Sequence, residues 1–149
     1  MEWAEVVDNP LLQDLPFKIE LNKWGKILMS PASNQHGHIQ ADLAYEFRKK
    51  LPKGKVIIEC SIKTQDGVKV ADVAWASDEF ITLYGFDTPY LVAPEICVEV
   101  ISPSNSKKEM SEKMRLYFDQ GAKEVWLCDQ QGDITYYSPS GRLEQSSEI

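Results

Sequence analysis

The sequence lacks the features that mark membrane, secreted and zinc-binding proteins. No apolar run approaches the length of a membrane span, and the amino terminus has neither the basic nor the apolar segment of a secretion signal. The three cysteines lie in separate apolar runs and form no Cys-x-x-Cys pair, so we expect them to pack in the core rather than bind zinc or form disulfides. These absences predict a cytoplasmic protein with no membrane association.

Positive charge is also scarce. The chain has 16 Lys and Arg residues against 23 Asp and Glu residues, a formal net charge of -7. This balance argues against a protein that coats nucleic acid through bulk electrostatics, while a local basic patch is still allowed. Because 149 residues with 43% hydrophobic content suit one well-packed core, we expect a single domain over residues 1–149.

Two carboxylates stand inside otherwise apolar runs. Asp72 lies within Val68–Ala76, and Glu99 lies within Glu95–Ile101. Moving an unpaired carboxylate out of water costs several kcal/mol, so two such residues in neighbouring strands usually bind a cation or take part in a reaction. Oxygen ligands without a nearby cluster of His or Cys favour Mg²⁺ or Mn²⁺ over zinc. The pair therefore predicts a metal site.

The hydrophobic pattern predicts the element order αβββαβ behind an extra N-terminal hairpin. The expected elements are a hairpin at residues 17–30, a helix at 36–51, a hairpin of Val56–Cys60 and Val68–Ala76, the Glu99 strand, a helix from Ser106 to Gly121, and a last hairpin of Glu124–Asp129 and Ile134–Tyr137. The continuous apolar run around Glu99 is typical of a central strand buried on both faces. Residues 77–94 are expected to form a long connection, and the tail from Ser138 to be loose.

Three further residues are candidates for the site. Lys113 falls at the edge of the apolar stripe of the second helix, where it could reach Glu99, although periodicity alone favours a solvated ammonium. His36, near a helix amino terminus, could support the metal site, contact a phosphate or act as a general base, or it could be structural. Glu46 on the same helix could be an auxiliary acid or a solvated residue.

Several motifs resemble the Uma2 family of restriction-endonuclease-like proteins in their order and spacing. They are Val70–Ala74, Pro94–Ser104, Glu112-Lys113, Tyr117, Gly121, Glu124–Asp129 and His36–Ile39, and the resemblance covers roughly residues 15–137. That family is similar to the PD-(D/E)XK nuclease superfamily. The resemblance implies an α+β or α/β fold with a restriction-endonuclease-like core, in which a mixed central sheet is flanked by helices, and two acids that bind Mg²⁺ or Mn²⁺.

The resemblance assigns roles residue by residue. Asp72 and Glu99 match the two motif acids, and the Val100 carbonyl would be a further metal ligand. The usual lysine two positions after the glutamate is replaced by Ile101, and the resemblance implies that Lys113 on the following helix takes its place. Ala71 stands where the superfamily has a proline, a backbone preference that carries no chemistry.

The expected function is hydrolysis of phosphodiester bonds of DNA by a Mg²⁺-dependent endonuclease. We expect a homodimer, since two subunits would join two modest basic surfaces and supply one active site for each strand. Two alternatives stay open: a catalytically inactive nuclease-fold module that binds nucleic acid or protein, and a metal-assisted hydrolase of a smaller phosphate ester. Metal affinity separates the first alternative from the enzyme, because only the enzyme needs both acids to bind a cation.

Overall fold

The computed structural model describes all 149 residues and is built around a six-stranded mixed sheet. The sheet has the order β3 (Lys55–Thr64), β4 (Gly67–Ala76), β5 (Ile96–Val100), β6 (Glu124–Cys128), β7 (Ile134–Ser138) and β8 (Gly141–Leu143). Only β5 and β6 run parallel. A separate two-stranded sheet consists of β1 (Phe17–Leu21) and β2 (Ile27–Pro31), and the helices are α1 (Trp3–Asp8), α2 (Asn34–Lys50), α3 (Asp78–Tyr84) and α4 (Lys107–Asp119). The mixed sheet, its flanking helices and the extra hairpin confirm the predicted fold class.

Different helices cover the two faces of the sheet. Val98 on β5 packs with Phe47 of α2. The preceding residue, Cys97, belongs to the opposite apolar cluster, which includes Met110 and Tyr117 of α4. Successive side chains of a strand point to opposite faces, so β5 must be apolar throughout when both faces are covered. All five of its residues are buried, as predicted for the central strand. None of the helices is both long enough and apolar enough to cross a membrane.

Serine caps begin the two helices that contribute to the candidate site. The Ser33 hydroxyl accepts a hydrogen bond from the His36 amide at 3.0 Å, which places His36 in the first turn of α2. The Ser106 hydroxyl accepts from the Glu109 amide at 3.1 Å, so α4 begins where the sequence predicts. Each cap satisfies an amide that has no partner inside its helix.

The hairpin of β1 and β2 is held against β4. The Glu20 carboxylate accepts a hydrogen bond from the Val70 amide at 2.7 Å, and Leu21 packs against Val68. Gly67 has a φ of 74°, and a Cβ atom there would collide with the Leu21 carbonyl oxygen, so the approach of the two hairpins requires glycine. This contact brings the polar face of β1 toward the middle of β4 and the end of β5.

Two local predictions are wrong. The connection after β4 contains α3, a helix too short to show a clear period, capped by the Ser77 hydroxyl. The tail is not loose, because β8 pairs with β7 and both Ser146 and Ser147 hydrogen-bond to the buried Glu124 carboxylate. The sequence also gave no prediction of α1, whose Val6 packs against Leu21. These three segments are ordered by long-range contacts.

Candidate active site

Asp72 and Glu99 lie side by side across β4 and β5. Val73 is paired with Val98 in this antiparallel ladder, so Asp72, which precedes Val73, lies opposite Glu99, which follows Val98. Asp72 is 1% exposed and Glu99 is 3% exposed. Asp72 Oδ2 accepts a hydrogen bond from the Val100 amide at 2.7 Å, and Glu99 Oε1 accepts one from the Tyr117 hydroxyl at 2.6 Å. Each carboxylate therefore has one oxygen fixed by the protein.

Two lysines lie against this pair of acids. Lys113 Nζ is 3.3 Å from Glu99 Oε1 and 2.8 Å from Glu20 Oε2. Lys18 Nζ is 3.2 Å from Asp72 Oδ1 and 3.0 Å from Glu99 Oε2. Both side chains are largely buried, so the Lys113 ammonium contacts acids rather than the solvent that periodicity alone favours. The site is a charged cluster inside the protein.

A second group of candidate ligands lies on the other side of Asp72. His36 Nε2 is 3.2 Å from Asp72 Oδ1, and the ligand atoms of His36, Glu59 and Asp72 all lie within 4.8 Å of one another. Gln40 donates from Nε2 to Glu59 Oε1 at 2.8 Å and to the Asp72 carbonyl at 2.9 Å. Glu59 has a φ of 56°, which is unfavourable for a residue with a Cβ atom. The fold holds this carboxylate in place against a backbone cost.

The neighbours of each group determine its charge. Burial raises the pKa of Asp72, but the His36 hydrogen bond and the Lys18 charge outweigh it and hold that pKa well below its ordinary value. Burial lowers the pKa of Lys18, yet Glu99 and Asp72 raise it well above the usual range. The hydrogen bond to Asp72 also raises the pKa of His36. Near neutral pH the site therefore holds an ionised Asp72 beside a charged Lys18.

The acids and lysines line an open cavity of about 830 Å³. One wall is the end of the β1–β2 hairpin, including Leu28 and Met29, and the other is the loop of residues 102–105 with the start of α4. Most of the lining residues are polar or charged. A cavity of this character suits an anionic, extended ligand better than an apolar one.

The donor atoms fit a hard divalent cation. Asp72 Oδ1 and Glu99 Oε2 contact the same positive group, the Lys18 ammonium, so the fold already spaces one oxygen of each acid for a shared cation. Val100, the last residue of β5, fixes the other oxygen of Asp72 through its amide. Carboxylate oxygens of this kind are the ligands preferred by Mg²⁺ and Mn²⁺.

The structure brings together five of the six residues selected from the sequence. Asp72, Glu99, Val100, Lys113 and His36 surround one cavity. Glu46 does not join them. It lies about 15 Å from His36 along the axis of α2, by the rise of an α-helix. Its carboxylate is 3.8 Å from the Lys50 ammonium.

Sequence reasoning missed Lys18, Glu20 and Glu59. The alternation of Phe17–Leu21 places Lys18 and Glu20 on one face of β1, and this was the available signal. It shows that the two residues share a face but not what that face meets. Glu59 gave no signal, because a carboxylate in a half-buried edge strand is ordinary.

Comparisons with known proteins identify a family and a similar fold. Residues 9–148 match the Uma2 family model, which is described as "Putative restriction endonuclease". The fold is similar to a solved structure from Anabaena variabilis ATCC 29413, described as a "putative nuclease belonging to DUF820", with a TM-score of 0.67 and 20% sequence identity. That similarity covers 86% of this chain and 73% of the other. No curated protein is significantly similar in sequence. Because the family match spans almost the whole chain, this protein belongs to the Uma2 family.

Proposed function

We propose that this protein is a Mg²⁺-dependent endonuclease that hydrolyses phosphodiester bonds of DNA. The observation that carries the proposal is the pair of buried, adjacent carboxylates, Asp72 and Glu99, which share one positive charge at the floor of a polar cavity. Membership in a family of nucleases supports the reaction class. DNA is the substrate class we infer for an open cleft lined by both acids and lysines.

Asp72, Glu99 and the Val100 carbonyl would hold the Mg²⁺ or Mn²⁺ ion. Such an ion, when bound, lowers the pKa of a coordinated water and stabilises charge on phosphate oxygens. The protein fixes the acids by the Val100 amide and the Tyr117 hydroxyl, which leaves Asp72 Oδ1 and Glu99 Oε2 facing the Lys18 ammonium. Ligands fixed in this way need little reorganisation during the reaction.

Lys113 would stabilise the negative charge that develops on the phosphate. Its ammonium lies beside Glu99, and Glu20 holds it from the opposite side at 2.8 Å. A cation fixed by two acids next to the scissile group acts without rearrangement, which is the most effective form of electrostatic catalysis. His36 would orient Asp72 through their 3.2 Å contact and would be the nearest group to accept a proton from water.

The arrangement also favours one alternative. The lysines already compensate much of the charge of the acids, so the fold would not need a metal ion to offset it. A module that binds nucleic acid or protein without catalysis would need nothing more. For the enzyme we further propose a homodimer, because cleavage of both strands of a duplex requires two active sites.

The test is calorimetric titration of Mg²⁺ and Mn²⁺ into wild type, Asp72→Asn and Glu99→Gln, together with cleavage of plasmid and single-stranded DNA. We expect wild type to bind and cleave, and both amide variants to lose metal binding and cleavage. Lys113→Met should keep metal binding but lose at least about a hundredfold in cleavage rate. Absence of metal binding and cleavage in wild type, with amide variants that fold at least as stably, would instead establish the non-catalytic module.

A further inference from the structure

Lys18 occupies an unusual position for a lysine. Its ammonium lies 3.2 Å from Asp72 Oδ1 and 3.0 Å from Glu99 Oε2, and its side chain is 11% exposed. It thus contacts one oxygen from each acid of the pair, whereas Lys113 contacts Glu99 alone, on the other oxygen. No other cation bridges the two acids.

The Lys18 ammonium and a divalent cation cannot occupy this position together. A cation that bridges Asp72 Oδ1 and Glu99 Oε2 must lie between the same two oxygens that Lys18 Nζ contacts. At Mg²⁺–oxygen distances of about 2.1 Å, it would also lie too close to an ammonium placed there. Two positive charges in contact inside a protein repel strongly. Metal binding therefore requires Lys18 to move.

The charge balance favours such an exchange. The acids Glu20, Asp72 and Glu99 bring three negative charges, and Lys18 and Lys113 compensate two of them. Replacing the single charge of Lys18 by a divalent cation would make the group neutral. In a buried cluster, uncompensated charge is the costly state, so the cluster gains from the exchange.

The Lys18 side chain also has other positions available to it. It lies on β1, which belongs to the small two-stranded sheet rather than to the sheet that bears the acids. Glu20, two residues further on the same face of β1, is 3.9 Å from the ammonium and offers a second partner. Lys18 lines the open cavity, so its flexible side chain can turn toward solvent without any change in the backbone.

We propose that Lys18 is an internal counter-ion, whose ammonium fills the cation position between Asp72 and Glu99 in the metal-free protein and leaves when a divalent cation binds. The proposal rests on the proposed function, because it takes the two acids to be metal ligands. Lys18 holds the acid pair assembled between binding events, and displacing its ammonium costs part of the free energy of metal binding.

The test compares Lys18→Met, which keeps the length of the side chain without its charge, with Lys18→Arg and with Lys69→Met. Lys69 is a matched control, since it is buried and lines the same cavity but pairs with Asp66 at 3.3 Å. Mn²⁺ is titrated calorimetrically into each protein at one neutral pH. We expect Lys18→Met to bind Mn²⁺ at least about tenfold more tightly than wild type, and neither control to bind more tightly.

A second measurement needs no metal. In EDTA, Lys18→Met should melt about 5 °C or more below wild type, because it leaves buried acids undercompensated. The loss should be clearly smaller in an Asp72→Asn background, since the two residues are in contact. Equal losses in both backgrounds would overturn the counter-ion role whether or not any metal binds.

The two proposals fail in different ways. If wild type binds Mn²⁺ and Lys18→Met binds it no more tightly, Lys18 does not compete with the metal ion. The proposal of a metal-dependent nuclease is then unaffected. If only Lys18→Met binds, Lys18 fills the cation position but does not leave it, so the proposed exchange and the metal-dependent enzyme are both overturned. If neither protein binds Mn²⁺, both the metal site and the exchange are overturned.

Discussion

At the scale of single residues, the two neighbouring acids Asp72 and Glu99 have different surroundings. His36, Lys18 and the Val100 amide hold the pKa of Asp72 low despite its burial. Burial raises the pKa of Glu99, although Lys113 and Lys18 oppose this effect. Pairs of carboxylates with pKa values moved in opposite directions are typical of sites where each acid has its own role. Asp72 is thus the more acidic of the two.

The backbone of Glu59 is the second notable feature at this scale. Glu59 lies between Ile58 and Cys60, whose partners across the ladder are Val73 and Ala71, so it sits opposite Asp72. Its φ of 56° is in the left-handed region. Strain of this kind persists only where the surroundings impose it, and here Gln40 binds both Glu59 and the Asp72 carbonyl.

We predict that Glu59→Gly is more stable than Glu59→Ala by about 1 kcal/mol. Both variants lose the carboxylate, so the comparison isolates the backbone. In an ordinary strand the order would be reversed, since glycine loses more conformational entropy on folding. Urea unfolding of the two variants measures the difference. A more stable alanine variant would mean that residue 59 has an extended backbone in solution.

At the scale of elements, the segment after β8 is held against the start of β6 through Glu124. The Glu124 carboxylate accepts hydrogen bonds from Trp126 Nε1 at 2.9 Å, from the Ser146 hydroxyl at 2.6 Å and from the Ser147 amide at 2.8 Å. Burial would raise the pKa of Glu124, but these hydrogen bonds lower it. A polar tail with no apolar pattern is therefore fixed by one acid at the start of β6.

This pairing predicts a defined pH dependence. A carboxyl group with a lowered folded pKa adds stability above its unfolded pKa, and the stability is lost as the pH falls through the folded value. The double variant Ser146→Ala, Ser147→Ala should therefore lose about 1–2 kcal/mol at pH 7, and the difference from wild type should shrink below about pH 4. Urea unfolding across this pH range is the measurement. Ser140→Ala, an exposed serine of the β7–β8 turn, is the control, and a difference that does not depend on pH would exclude Glu124 as the cause.

At the scale of the whole molecule, a net charge of -7 must be reconciled with the polyanionic substrate that we propose. The acids of the site carry more charge than its lysines compensate, and they line the cavity that would receive the phosphate backbone. Without a divalent cation, this local field opposes the approach of DNA. Under the proposed function, DNA binding would then be coupled to metal binding.

We therefore predict that Asp72→Asn binds a labelled DNA duplex in EDTA about two- to tenfold more tightly than wild type. Fluorescence anisotropy at low salt measures the affinity, and added salt should reduce the difference by screening. Glu46→Gln is the matched control, because it removes the same charge from an exposed position outside the cavity. An equal gain in both variants would mean that bulk charge controls the affinity and that DNA does not enter this cleft.

The sequence alone determined those features that depend on local patterns. The alternation and apolar runs of the strands, the period of the two long helices and the serine caps each reflect contacts within a few residues, so the order of the main strands and of the two long helices could be predicted. Local pattern also identified Asp72 and Glu99, because a charged residue inside an apolar strand can be recognised without any tertiary information. The resemblance of ordered motifs added Lys113, which periodicity alone would have left in solvent.

Only the tertiary structure decided which charges meet. Lys18 reaches Asp72 across 54 positions of the chain and Glu99 across 81. Ser146 reaches Glu124 from a segment with no apolar pattern of its own. Such contacts depend on how separate hairpins, helices and tails pack, and the free energy of an ion pair or hydrogen bond carries no signature in the local sequence. The sequence thus specified the acids, while the packing of β1 against β4 supplied the cation that lies between them.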